Sequence, residues 1–193
     1  MILRFGLPFS GSNVRHGFSL VELLVVMGII GALAALIAGM FRASFGPRME
    51  SRAKAERDML IGAIEAYKNK FGFYPPDNQK DSALPPLYYE LVGWSGTQQE
   101  LNGVKTAFGV DGFVNSDPER KNFLSNLKSK GFAAIPSRSP QTFVLTFPAI
   151  GPAGEFNTWN YRSTKPTNNT VTYDLWLHVI RNSKTNTICN WKE

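Results

Sequence analysis

Between Leu23 and Phe41 the chain carries no charged or strongly polar residue. Coiled as a helix at ~1.5 Å per residue, this run is about 28 Å long, close to the roughly 30 Å hydrocarbon core of a bilayer. A helix apolar on every side cannot rest in water, so it must meet lipid or other protein. One carboxylate, Glu22, stands at its start. A charge at the centre of a membrane helix costs roughly 2.5–3.5 kcal/mol even on a lenient insertion scale, so this carboxylate needs a partner or a purpose. Two ordinary explanations leave something over. A secretory signal peptide has a positive start, an apolar region of about 7–15 residues and a small-residue cleavage site. Ala32-Leu33-Ala34 or Ile37-Ala38 would serve as that site, but the run from Leu20 to Phe41 is long for it and Glu22 is out of place. A plain membrane anchor accounts for the length and leaves Glu22 unexplained.

The residues that open the run are Gly17-Phe18-Ser19-Leu20-Val21-Glu22-Leu23-Leu24. This segment resembles the processing motif of the type IV prepilins and type II secretion pseudopilins. The resemblance implies that a membrane peptidase cuts after Gly17, that the new N-terminal Phe18 is N-methylated, and that Glu22 is the motif glutamate used in assembly. It divides the chain into a leader over 1–17, a transmembrane and assembly helix over 18–41, an amphipathic continuation over 42–71 and a periplasmic domain over 72–193. The implied partners are the prepilin peptidase and methylase, identical and related pseudopilin subunits, and an inner-membrane assembly platform. The implied location is the bacterial inner membrane, crossed once. Physical chemistry agrees with the pairing. Cutting before Phe18 creates an α-amine at the edge of an apolar helix, and a carboxylate four residues along can offset it, in its own subunit or in a staggered neighbour. Removing one partner of a buried charge pair typically costs ~3–5 kcal/mol, which makes Glu22 a register device for packing helices. The basic residues run the other way: Arg4 and Arg15 precede the run, while Arg42, Arg48, Arg52, Lys54 and Arg57 follow it. A simple count would leave the C-terminal side in the cytoplasm. The motif is more specific than the count, and it takes precedence.

Composition narrows the rest. Of 21 basic residues two lie in the leader, so 19 against 15 acids remain after cleavage, a formal charge of +4. That is mild, and no nucleic-acid partner is expected. The lone Cys189 permits no intrachain disulfide and reads as a small buried hydrophobe. His16 leaves with the leader and His178 lies in a strand-like run, so no metal cluster, triad or phosphate loop is expected. No catalytic residue, cofactor or enzymatic activity is predicted.

Beyond the apolar run Met49, Ala53, Leu60, Ile64, Tyr67 and Phe71 recur at helical spacing among charges, which predicts an amphipathic helix to about Lys70. Gly46-Pro47 is expected to interrupt it, because proline removes a donor and clashes with the preceding turn. Gly72 and the Pro75-Pro76 pair end it. A short helix is predicted over Leu87–Gly93 after Pro85-Pro86. A second is predicted from Asp117-Pro118 to about Gly131, with Phe123, Leu124 and Leu127 on one side. Gln98–Ser116, rich in Gly and Asn, reads as a variable loop. Thr142–Phe147, Thr158–Ser163, Thr170–Val179 and Thr187–Trp191 read as strands. In the third, Val171, Tyr173, Leu175, Leu177 and Val179 should face the long helix, with Thr172, Asp174, Trp176 and His178 outward. The expected fold is α+β and pilin-like: a long N-terminal helix packed on one small antiparallel sheet of three or four strands.

The stretch around Tyr67 to Pro75, then Thr158-Trp159-Asn160-Tyr161-Arg162-Ser163, Tyr173-Asp174-Leu175-Trp176 and Asn190-Trp191, is similar to the major pseudopilins in order. That resemblance implies a calcium site between the last two strands. Here the loop is Arg181-Asn182-Ser183-Lys184-Thr185-Asn186, with no acid and two cations. Calcium takes six to eight oxygens, usually with carboxylates among them, so the metal is not expected. The overall expectation is a structural subunit of a type II secretion pseudopilus. Two alternatives stand beside it: a type IV or minor pilin serving adhesion or DNA uptake, and an anchored binding domain with Trp94, Trp159 and Trp176 as a ligand platform.

Overall fold

The computed structural model describes residues 19–136, 138–148, 157–181 and 184–192, with side chains for all of these except 38–47 and 181. The chain divides into two units, Met1–Ser44 and Phe45–Glu193, and helix α1 (Leu20–Phe71) contributes residues to both. Contrary to expectation, Gly46-Pro47 does not interrupt the helix, which is continuous through both residues. One proline costs a helix roughly 3 kcal/mol, and the apolar stripe that follows offsets it by burial. Ala53, Leu60, Ile64 and Tyr67 are each no more than 1% exposed, and Met49 and Phe71 pack partly buried against the same core. At the other end Gly72 takes φ +84°, a conformation that favours glycine, and its N–H donates to the Lys68 carbonyl at 2.7 Å, closing the last turn.

Within the second unit the strands are β1 (Phe132–Ala134), β2 (Phe143–Phe147), β3 (Asn157–Thr158), β4 (Asn160–Arg162), β5 (Asp174–Arg181) and β6 (Lys184–Cys189). They form two three-stranded antiparallel sheets, β1-β2-β3 and β4-β5-β6, where one sheet was expected. The division falls at Trp159. Its N–H still donates to Leu145 in β2 at 3.1 Å, but one residue later the chain pairs with β5, Asn160 opposite Trp176. The Trp159 ring is fully buried, and its Nε1–H donates to Glu56 of α1 at 2.9 Å, fastening the crossover to the helix. The resulting core joins α1 to Leu145, Phe147, Tyr161, Tyr173, Leu175, Leu177, Val179 and Ile188.

The β5 alternation holds from Tyr173 to Val179, all buried on the odd side. It fails at both positions nearest its start. Val171 is 90% exposed because 169–172 is a turn closed by Thr172 N–H to the Asn169 carbonyl, and the strand begins only at Asp174. Asp174, expected outward, is 1% exposed.

Two further expectations are corrected in the middle of the chain. Helix α2 spans Leu87–Val92, as predicted to within a residue. Gln98–Ser116 is not a loop throughout, because helix α3 occupies Gln98–Phe108. Thr97 accepts from the Glu100 N–H while the Glu100 carboxylate accepts from the Thr97 N–H at 2.8 Å, a reciprocal cap that starts the helix. Val104 and Phe108 then bury into a second cluster with Tyr89, Phe113 and Val144. Gly103 faces the Pro140 ring so closely that a Cβ there would collide with it.

The helix expected from Asp117 to about Gly131 does not form. Its backbone groups are taken by more distant partners. The Lys121 N–H donates to Asn115 Oδ1 at 2.7 Å, Asn115 Nδ2 donates to the Lys121 carbonyl at 2.6 Å, and the Phe123 N–H donates to Leu91 at 2.8 Å. Asn115 itself is locked by Glu90, whose carboxylate accepts from the N–H groups of Val114 and Asn115 and from the Tyr67 hydroxyl. Burial raises the Glu90 carboxyl above its usual range, although those hydrogen bonds work to lower it. Phe123, Leu124 and Leu127 still reach the core without a helix.

Candidate processing and assembly segment

Helix Leu20–Ile37 is long and apolar enough to cross a membrane, with a mean hydropathy of 2.7 over 18 residues. Nothing in the described residues covers it. Leu20, Leu24 and Leu36 are 67–78% exposed, and Val25, Val26, Ile29, Ile30 and Leu33 are near half. An apolar surface of this extent marks contact with lipid or with another protein.

Glu22 sits in the first turn of this helix, where a negative charge favours the helix dipole. The structure gives it a partner that the sequence reading overlooked. The Ser19 N–H donates to Glu22 Oε2 at 3.1 Å, the Val21 N–H donates to Ser19 Oγ at 3.3 Å, and the Leu23 N–H donates to the Ser19 carbonyl at 3.1 Å. Ser19 is therefore the cap and Glu22 its reciprocal acceptor. The signal was present as a serine followed three residues later by a glutamate ahead of an apolar run. Gly17 and Phe18, the residues expected to be cut and methylated, lie outside the described residues.

The proposed tryptophan platform is not formed. Trp159 is fully buried, and Trp94 packs against Tyr89 and Phe113 at ring-centroid distances of 5.3 and 5.6 Å. Trp176 pairs edge-to-face with Trp191 at 5.8 Å. An amphipathic ring on a half-buried sheet packs in this way.

The loop between the last two strands, for which no calcium is expected, is described only in part. β5 and β6 pair out to Arg181 opposite Lys184, and Asn182 and Ser183 between them lie outside the described residues. The acid at the head of β5, Asp174, has both oxygens engaged. Oδ2 accepts from the Thr167 and Asn168 N–H groups at 2.9 and 3.0 Å, from Thr167 Oγ1 and from Asn168 Nδ2. Oδ1 accepts from the Asn169 N–H at 2.7 Å. Donor protons converging on the carboxylate would repel a cation. Burial raises the Asp174 pKa, but the N–H donors of Asn169, Asn168 and Thr167 outweigh it and hold the carboxyl below its ordinary range. Among the described residues no three His, Cys, Asp or Glu side chains stand close enough to hold a metal.

Comparison with known proteins places the N terminus. Residues 12–38 match the family model described as the prokaryotic N-terminal methylation motif. No curated protein and no solved structure matches the chain. The match spans the motif and the whole apolar segment Leu20–Ile37, so the α+β, pilin-like character of the rest is carried by the fold. The N terminus bears a prepilin-type signal, which implies processing by a prepilin peptidase, anchoring by one apolar helix and assembly with other pilin-like subunits.

Proposed function

We propose that this chain is a structural subunit of a type II secretion pseudopilus and not an enzyme. It is cut after Gly17, methylated on Phe18, held once across the inner membrane with its C-terminal domain in the periplasm, and polymerised through its N-terminal helix. The observation that carries the reading is the uncovered helix Leu20–Ile37 with one acid, Glu22, at its start, inside the matched motif. Polymerisation would take that surface from lipid onto neighbouring helices, where close van der Waals packing replaces contact with lipid chains. The secretion role is supported by the resemblance of the tail to major pseudopilins. Trp159, Tyr161, Tyr173 and Leu175, which carry it, all belong to the core beneath α1. The energy for pushing cargo would come from an assembly ATPase elsewhere.

The reading needs the charge on Glu22. Glu22→Ala should leave membrane insertion and cleavage intact and abolish filament assembly and secretion; wild-type filament levels from that variant would refute the pairing. A subunit whose loss abolishes surface attachment while secretion continues would instead be a type IV or minor pilin.

A further inference from the structure

We infer that Arg48, Arg52 and Lys128 form a contact for the anionic headgroups of the phospholipids around the anchoring helix. The inference rests on the reading of α1 as a membrane anchor and adds a lipid-binding surface to it. In the proposed orientation the basic residues after the apolar run lie on the outward side, where the rule that keeps cations in the cytoplasm does not call for them. Two of them are already engaged within the fold. Lys54 pairs with Glu50 at 3.2 Å, while Arg57 pairs with Asp58 at 2.8 Å and donates to the Cys189 carbonyl at 3.0 Å. Arg48 and Arg52 are exposed, stand one turn apart on one helix face and form no salt bridge among the described residues. The Arg52 guanidinium lies over the Phe147 ring at 5.8 Å, beside a cleft of about 220 Å³ between α1 and the 126–131 loop. The exposed Lys128 lines that cleft from the loop, and Met59 and Leu127 give it an apolar wall. Its one acid, Glu56, accepts from the Trp159 Nε1–H at 2.9 Å, and burial raises its carboxyl above the usual range although that bond and Arg52 work to lower it. Three cations against one inward acid leave the surface positive at neutral pH. Arg48 and Arg52 follow Phe41 by seven and eleven residues, ~10 and ~16 Å along a helix. Headgroups extend about 5–7 Å beyond the hydrocarbon, and their potential about 8 Å further at physiological ionic strength. A long arginine stem closes what remains. The guanidinium fork then meets a lipid phosphate in bidentate geometry, and the ammonium adds a point charge.

The test is lipid choice by the whole chain. The protein extracted from membranes into detergent would be offered equal amounts of phosphatidylglycerol and phosphatidylcholine, and the first lipid retained identified by native mass spectrometry. Each cation near an anionic surface contributes about a five-fold preference. The wild type should retain phosphatidylglycerol; Arg48→Gln, Arg52→Gln and Lys128→Gln should each lower that preference about five-fold, and the triple variant should bring it near parity. Lys54→Gln removes an ammonium already paired with Glu50 and should leave the preference unchanged. Melting temperature checks the fold of each variant, since exposed substitutions move it little. A triple variant with the wild-type preference would overturn the inference, and if it also failed to assemble, the cluster would belong to a protein partner. An equal loss in Lys54→Gln would overturn it too, since bulk charge alone would then be at work. So would displacement of the lipid by millimolar inorganic phosphate, the mark of a free-anion site. A wild-type chain that is not recovered in membranes would remove the anchor itself and this inference with it, a separate outcome seen before any lipid is added.

Discussion

Asp174 offers the sharpest test of how the C-terminal domain is held together. Its carboxylate is 1% exposed and accepts from three backbone N–H groups, a hydroxyl and an amide, all from Thr167, Asn168 and Asn169. Asp174→Ala strips the acceptor from all five donors. Hydrogen bonds to a charged group contribute about 1.5–3 kcal/mol each in net terms. Thr167 and Asn168 are exposed, so water can take back much of what they lose. Counting roughly one and a half to two such bonds as lost outright, at about 2 kcal/mol each, gives about 3–4 kcal/mol for Asp174→Ala. Asp174→Asn keeps one carbonyl oxygen, places a donor among donors and should cost about 2 kcal/mol. For a domain of roughly 150 residues each kcal/mol is about 2–4 °C, so the alanine variant should melt about 6–16 °C lower. The assay is thermal unfolding of the soluble 50–193 fragment, which retains every fully buried core side chain from Ala53 to Cys189. The pH dependence carries an independent sign. A carboxyl held below its ordinary range stabilises the fold above the unfolded-state pKa, and loses that contribution as pH falls through the lower folded value. The gap between wild type and Asp174→Asn should therefore be full at neutral pH and shrink in acid below about pH 4. An Asp174→Asn melting point within a degree of wild type at pH 7, or a gap that widens on acidification, would refute the reasoning.

Two further predictions follow from the same domain. Calcium or a chelator should leave the melting temperature of the 50–193 fragment unchanged, since the loop at Asp174 is closed by N–H donors; a shift of several degrees with calcium would show a metal site. Gly103→Val should destabilise the fragment by about 1–3 kcal/mol through overpacking against Pro140, measured by urea unfolding, whereas Asn102→Ala on the exposed side of the same helix should cost under ~0.5 kcal/mol.

What could be read from the chain follows the range of the interactions involved. The apolar run and the Met49–Phe71 stripe are local patterns with one reading, and both became α1. The strand positions from Tyr173 to Val179 were equally plain, because alternation is enforced by a buried face. Helix α3 was legible in Thr97-x-x-Glu100 and the spacing of Leu101, Val104 and Phe108, but Asn102 and Gly103 drew attention to loop composition instead. Glycine is there because Pro140 approaches from a distant part of the chain. The opposite error at Asp117 has the same root. Asp-Pro is a sound local start for a helix, yet Asn115 and Leu91 take the backbone groups that a helix would pair internally. Asp174 looked like an outward polar position because nothing in the sequence said that 167–169 folds back over it. At the N terminus Glu22 stands out by its charge, while Ser19, its hydrogen-bond partner, is marked only by the three-residue spacing of a cap.

Assembly through the apolar helix depends first on where the processed chain begins. The intact mass and N-terminal sequence of the protein extracted from membranes test this directly. N-methylated Phe18 is expected as the first residue, with the seventeen-residue leader gone. A first residue at Ala35 or Gly39 would mean that the apolar run was discarded as an ordinary signal peptide, leaving a free secreted domain and contradicting the filament reading at its base.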